Sequence, residues 1–369
     1  MHSRSFVVAA NVAAIVVILV AAEFIARWMA AAGHFDQDNQ LAMCRPDRLT
    51  IWRYRPGVDL TYHAPEFDMQ VRTNEEGLRG PPIALTSDAA TVLVIGDSFT
   101  FGWGVSENQR YSDVLARQIE QAAPGMRLRM VNAGHWMFTY DQQLVLMKQL
   151  VERYRPRVVL QGIYWMHVRS LFNHQLQRSA DGELKAVSDD KIMVTSQGVL
   201  KFRSDWLERP PLNSQLVALG AREVLNRDLQ TKAANWIDYM RPGQTSDQDL
   251  WLLTDQILGE TASTLRAAGI PYVPFLVPSS VELPGGNWRN VGWTGSTPPS
   301  GVDVALPAAR LMAMLSRSHV TAVDLAPQMR PRDSNLYYPQ DGHWTAAGHA
   351  AAAEILAPAV QQALAGSRR

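Results

Sequence analysis

From residue 91 onward, five short apolar runs alternate with amphipathic segments of helix length. The runs are TVLVIG (91–96), LRMVNAG (128–134), RVVLQGIY (157–164), PYVPFLV (271–277) and VTAVDLA (320–326). Short continuous apolar runs of this kind are expected of strands buried on both faces. Residues 107–122, 141–154, 248–268, 303–317 and 345–364 read as helices. In 141–154, for instance, Leu144, Met147, Leu150 and Val151 share one face. Pro124-Gly125 and Gly269 mark helix ends. The alternation predicts an α/β fold: three α/β/α layers around a five-stranded, mostly parallel sheet. In such sheets the ligand site lies outside the carboxyl ends of the strands, where the strand order reverses. Gly96-Asp97-Ser98, Gly134-His135, Trp165-Met166-His167 and the loop 330–344 are all expected at that rim.

The rhythm is interrupted between 168 and 246 by an insertion containing Pro210-Pro211 and one or two helices expected between 214 and 240. Residues 86–369 with that insertion form one expected domain. Residues 33–85 read as an extended lead-in packed on it, with turns at Asn74 and Gly77.

Residues 1–32 are expected to be a membrane anchor. Phe6 to Ala22 is apolar except for Asn11, and Trp28 is placed to sit at an interface. Run length and flanks favour an uncleaved anchor. A signal peptide cleaved near Ala30-Ala31-Ala32 and a buried core helix are the other two readings. Arg4 before the run favours a cytoplasmic N-terminus, although Arg27, Arg45, Arg48, Arg53 and Arg55 compete with it.

Thirty-five basic residues offset thirty-five acidic ones, so nothing points to nucleic acid. The single cysteine, Cys44, excludes an intrachain disulfide. The loop 283–301 is rich in Gly, Trp and Pro but has no phosphate-binding pattern. His343 and His349 are six residues apart, which is not a standard ligand spacing, so neither metal nor cofactor is expected.

A serine nucleophile needs a base, and the base needs a group to orient it. Ser98 follows the first strand. His343, in DGHW (341–344), follows the fifth strand and precedes the last helix. Asp341, two positions earlier, faces the same side if the segment is extended. Its carboxylate could then hold Nδ1 of His343 while Nε2 faces Ser98. Ser98 could instead only cap the helix after the strand, and Asp341 could only cap the last helix. Trp103, Trp136, Trp165 and Trp344 are candidates to line a site, with Asp97, His135, Tyr140 and Tyr164 beside them.

GDSFTFGWGV (96–105) with DGHWTAAGH (341–349) resembles the SGNH, or GDS(L), hydrolase superfamily. EFDMQVRTNEEGLRG upstream is similar to a membrane-anchored bacterial branch. The resemblance covers about residues 58–170 and 270–362, judged by pattern. It implies the flavodoxin-like SGNH fold, with Ser98 as nucleophile, His343 as base and Asp341 as its orienter. The Asp-x-His spacing is closer to that of polysaccharide O-acetyltransferase SGNH-like domains.

Two family features are altered. The oxyanion-hole glycine falls near Met137, and the asparagine after the third strand is replaced within Ile163–His167, with no asparagine before Asn173. The oxyanion candidates are therefore Ser98, Gly134, Met137 and His167, with His135, Tyr140 and Tyr164 as substitutes.

The resemblance implies a serine esterase acting on O-acyl or O-acetyl esters. The alternatives are an O-acyltransferase modifying an envelope polysaccharide with a membrane acyl-donor partner, and a degenerate glycan- or partner-binding domain. The expected location is the bacterial inner membrane, single-pass, with the domain in the periplasm.

Overall fold

The structure is a computed structural model. It describes residues 2–31, 43–47, 49–84, 88–170, 176–178, 184–186, 192–194, 200–202, 234–244, 247–293, 295, 299–332 and 334–367. The chain divides into two compact units, residues 1–44 with 190–232 and residues 45–189 with 233–369.

In the first unit, α1 (His2–Ala31) is one helix. Its stretch Asn11–Trp28 has a mean hydropathy of 1.9 and is long and apolar enough to cross a membrane, by length and composition. Ile15 to Val20 are exposed.

In the second unit the lead-in is built from β1 (Cys44–Asp47), β2 (Ile51–Tyr54), β3 (Asp59–His63) and β4 (Asp68–Arg72). They form two separate pairs, β1 with β2 and β3 with β4. β4 alternates exposed and buried residues because only one of its faces is covered.

The central sheet holds β5 (Ala90–Gly96), β6 (Leu128–Gly134), β7 (Val158–Tyr164), β12 (Tyr272–Val277) and β13 (Val323–Asp324), in the order β13-β12-β7-β5-β6. All four neighbouring pairs are parallel. The order reverses between β5 and β7, so their carboxyl ends flank the expected crevice. The fifth apolar run pairs only over Val323-Asp324, shorter than 320–326 predicts. The Asp324 side chain caps the Ala326 N–H, and Pro327 opens the short helix α8 (Ala326–Met329) at once.

β5 is buried on both sides. Its Val92 and Val94 face α3 (Tyr111–Ala122) and α9 (Ala346–Gly366) in one apolar cluster. α3 presents Tyr111, Leu115 and Ile119 at four-residue spacing to that cluster. On the other face lie α4 (Tyr140–Tyr154), α6 (Gln248–Ala267) and α7 (Leu306–Arg317). Thr139 and Gln142 form a capping box that starts α4. Thr345 caps α9 through the Gly348 N–H.

Of the insertion, the described parts are two antiparallel pairs and a 3-10 helix. The pairs are β8 (Leu176–Arg178) with β9 (Leu184–Ala186), and β10 (Ile192–Val194) with β11 (Leu200–Phe202). The 3-10 helix is Ala234–Met240. Of the 214–240 stretch where one or two helices are expected, only this 3-10 helix is described; the rest of it, and Asn173, lie outside the described residues.

Candidate active site

β5 ends at Gly96, and Asp97 caps the four-residue helix α2 (Ser98–Phe101) through the Phe99 N–H, 2.9 Å away. The turn is tight. A Cβ at Gly96 would meet Thr100 Oγ1 at 2.0 Å, and one at Gly134 would meet the Phe101 nitrogen at 2.1 Å. Asn132 fastens the arrangement by donating to Thr100 O at 2.7 Å. These contacts fix Ser98 at the first residue of α2, with little surface exposed.

Ser98 Oγ lies 2.7 Å from His343 Nε2. His343 Nδ1 lies 2.6 Å from Asp341 Oδ1. The three side chains form one hydrogen-bonded chain, assembled from strand tips at opposite ends of the sequence. The segment carrying Asp341 and His343 is not extended. Gly342 adopts a left-handed φ of 83°, its N–H donates to Tyr338 O at 2.9 Å, and the Tyr338 N–H donates to His343 O at 2.9 Å. A turn, not a strand's alternation, therefore sets the Asp-x-His geometry. A side chain at Gly342 would also meet Asn290 Nδ2 at 2.5 Å.

The imidazole of His343 packs against Phe99, with ring centres 4.9 Å apart, and against Trp103 at 6.2 Å. Trp103 Nε1 donates to Asp341 Oδ2 at 3.3 Å. Burial alone would push the Asp341 carboxyl up. Hydrogen bonds from His343 and Trp103, together with the His343 charge, outweigh that and hold it below the usual carboxylate value. With Asp341 held as an anion, its Oδ1 can accept from His343 Nδ1 in the tautomer that carries the proton there, and in that tautomer Nε2 can accept from a hydroxyl.

Several expected site residues occupy other roles. Asp97 is fully buried, and its second oxygen accepts from His167 Nε2 at 2.8 Å, so it is a cap and hydrogen-bond partner and not a lining residue. His167, the first residue of the short helix α5 (His167–Ser170), pairs through Nε2 with Asp97, and its buried Nδ1 has no hydrogen-bond partner among the described residues. The Gly134 N–H is taken by Asn132 Oδ1 at 3.0 Å. His135 is a core residue stacked between Tyr54 and Phe138. Burial pushes it down to about 3, against a partly opposing hydrogen bond to Ala133 O. Trp344 is wholly buried in the core against Phe99. The Tyr140 hydroxyl donates to Tyr164 O at 2.7 Å. Trp165 is buried and donates to Glu282, and the half-buried Tyr164 donates to Met166 Sδ. Trp103 is buried, whereas Trp136, stacked on it at 6.2 Å, keeps an accessible edge.

Two N–H groups remain from the expected oxyanion set. Ser98 is the first residue of α2, whose initial N–H groups lack helical acceptors. Met137 adopts a left-handed φ of 55°, the conformation a glycine would take freely. Among the described residues no acceptor pairs with its N–H.

Sequence reading did not single out Arg79. Its buried guanidinium donates to Phe101 O, Gly102 O and Val105 O at 2.6–2.9 Å, clamping the chain that follows Ser98. A lone arginine in a lead-in gives no sequence signal for three acceptors some 25 residues away.

Residues 244–369 match the family model described as the SGNH hydrolase-like domain of the acetyltransferase AlgX. That stretch includes Asp341 and His343 but not Ser98. No curated protein matches the chain. Among solved structures, TesA is 14% identical, with 74% of this chain and 99% of that chain covered and a TM-score of 0.40. The psychrotrophic esterase EstA from Pseudoalteromonas sp., inhibited by monoethylphosphonate, is 10% identical (75% and 99% covered, TM-score 0.38). A lipase/acylhydrolase from Enterococcus faecalis is 12% identical (74% and 96% covered, TM-score 0.38). With the parallel sheet, the Gly-Asp-Ser tip and the matched C-terminal third taken together, the chain resembles the SGNH hydrolase superfamily and its acetyltransferase AlgX-type domains.

Proposed function

We propose that this chain is a serine-dependent acyl-transfer enzyme acting on ester bonds, with hydrolysis of O-acyl or O-acetyl esters as its primary reaction. The observation that carries the reading is the continuous chain Ser98 Oγ–His343 Nε2 and His343 Nδ1–Asp341. As Ser98 Oγ attacks the ester carbonyl, His343 Nε2 takes its proton. A carbon–oxygen bond forms and the carbonyl oxygen becomes an oxyanion. Collapse expels the alcohol, which receives the proton from His343 and leaves an acyl-serine. A second hydroxyl then gives its proton to His343 and attacks, releasing Ser98. The N–H groups of Ser98 and Met137 receive the oxyanion. Each such donor is worth about 10²–10³ in turnover.

When water is the second hydroxyl, the enzyme is an esterase. When a sugar hydroxyl is, it is an O-acyltransferase. The match to an acetyltransferase domain and the apolar α1 favour transfer as a second reading. In that reading the chain is held in the bacterial inner membrane beside an acyl-donor partner, with the domain in the periplasm and an envelope polysaccharide as acceptor.

Turnover of p-nitrophenyl acetate tests the reaction class: wild type is active, and Ser98→Ala and His343→Ala lose activity about 10³-fold or more. A non-catalytic binding domain predicts no difference among the three. Acetyl transfer to an oligosaccharide, scored against free acetate, separates the two enzymatic readings.

A further inference from the structure

The turn bearing Asp341 and His343 does not satisfy its own backbone. Gly342 and Tyr338 are paired within it, but the N–H groups of Gln340 and Asp341 point outward. Both are received by Glu66, on the turn between β3 and β4. The Gln340 N–H is 3.1 and 3.0 Å from the two Glu66 carboxylate oxygens, and the Asp341 N–H is 2.6 Å from Oε2. A carboxylate accepting two backbone N–H groups forms charge-assisted hydrogen bonds, about twice as strong as neutral ones.

The same hairpin reaches Asp341 by a second route. Tyr62 and Phe67 pack on Trp103, with ring centres 4.9 and 6.4 Å apart, and Trp103 Nε1 donates to Asp341 Oδ2. Phe67 also packs on Tyr338, at the start of the turn, at 4.9 Å. One hairpin thus holds Asp341 by its backbone and, through Trp103, by its carboxylate. The hairpin residues Tyr62, Glu66 and Phe67 lie outside the stretch that matches the family model.

We infer that Glu66 is a positioning residue, and that the β3–β4 hairpin is part of the active centre and not a passive lead-in. The inference rests on the serine-enzyme reading above. Glu66 acts through Asp341 and touches neither substrate nor Ser98. Its work is to keep Asp341 Oδ1 at hydrogen-bond distance from His343 Nδ1. Misplacement of about 1 Å in a supporting contact is enough to cost about 10²-fold in rate.

The test uses the full chain and p-nitrophenyl acetate. Glu66→Ala is expected to lower kcat about 10–100-fold, with KM within about twofold of wild type. It is also expected to remove the low-field proton resonance of His343 Nδ1–H. Glu66→Gln keeps a carbonyl acceptor and is expected to recover most of kcat and the resonance. Glu66→Asp, charged but shorter, is expected to fall between and supplies a second variant should the alanine form fail to fold. Wild-type kcat in Glu66→Ala, alongside inactive Ser98→Ala, would overturn the positioning role alone. So would a glutamine variant no better than alanine. Turnover unchanged by Ser98→Ala would remove the serine reading itself.

Discussion

His167 Nε2 and Asp97 Oδ2 lie 2.8 Å apart beneath the turn that bears Ser98, joining the tips of β7 and β5 where the sheet reverses its order. Asp97 is wholly buried and its other oxygen caps α2. The pair therefore fixes the start of the helix that carries Ser98. His167→Ala would leave Asp97 short of its partner and is expected to cost about 2–4 kcal/mol of stability. Urea unfolding of the two proteins measures it. A variant that loses activity at unchanged stability would instead point to direct contact with the reacting ester.

Met137 stands where a glycine would meet no strain. A non-glycine residue held at positive φ costs about 1–3 kcal/mol. Met137→Gly is expected to be as stable as wild type or about 1 kcal/mol more stable, since relief of strain is partly offset by the freer unfolded chain. Met137→Ile, β-branched at the same φ, is expected to be destabilised. Thermal unfolding of the three proteins ranks them. An isoleucine variant as stable as the glycine variant would contradict the account of this turn.

The legible part of the fold was the part written in local pattern. Five apolar runs and the glycines ending two of them placed the sheet and its rim, because buried parallel strands need continuous apolar sequence. VTAVDLA misled at its carboxyl end because pairing at a sheet edge stops where a cap and a proline intervene. The residues that hold the site in shape were not legible. Glu66 lies 275 residues before Asp341, and its partners are backbone N–H groups, which carry no residue identity. His135, His167 and Trp344 read as rim residues because they follow strand tips or the Asp-Gly-His block. Their side chains turn inward, and only packing decides that direction.

Acid should destabilise the fold through two core histidines. His135 and His349 both titrate at about 3 in the folded protein, against 6.5 ordinarily. Burial is the main cause for each, and His349 also feels the positive charges of Arg79, His343 and Arg110. His349 Nδ1 accepts the Tyr111 N–H at 3.2 Å, which requires a neutral ring. Between 6.5 and 3 the unfolded chain binds more protons than the folded one, so stability is full above that window and falls as pH falls through it. At pH 5 each histidine is expected to cost about 2 kcal/mol relative to pH 7. His135→Phe should shrink the difference between urea midpoints at pH 7 and pH 5. An undiminished difference would show that His135 is not buried neutral.

Our proposal makes Ser98 the nucleophile activated by His343 and Asp341. Its most direct test is to treat the folded chain with a fluorophosphonate and locate the adduct by mass spectrometry. A single adduct on Ser98 is expected in wild type, none in Ser98→Ala, and labelling slowed at least about 10²-fold in His343→Ala. Equal labelling of wild type and Ser98→Ala, or an adduct on another residue, would contradict it.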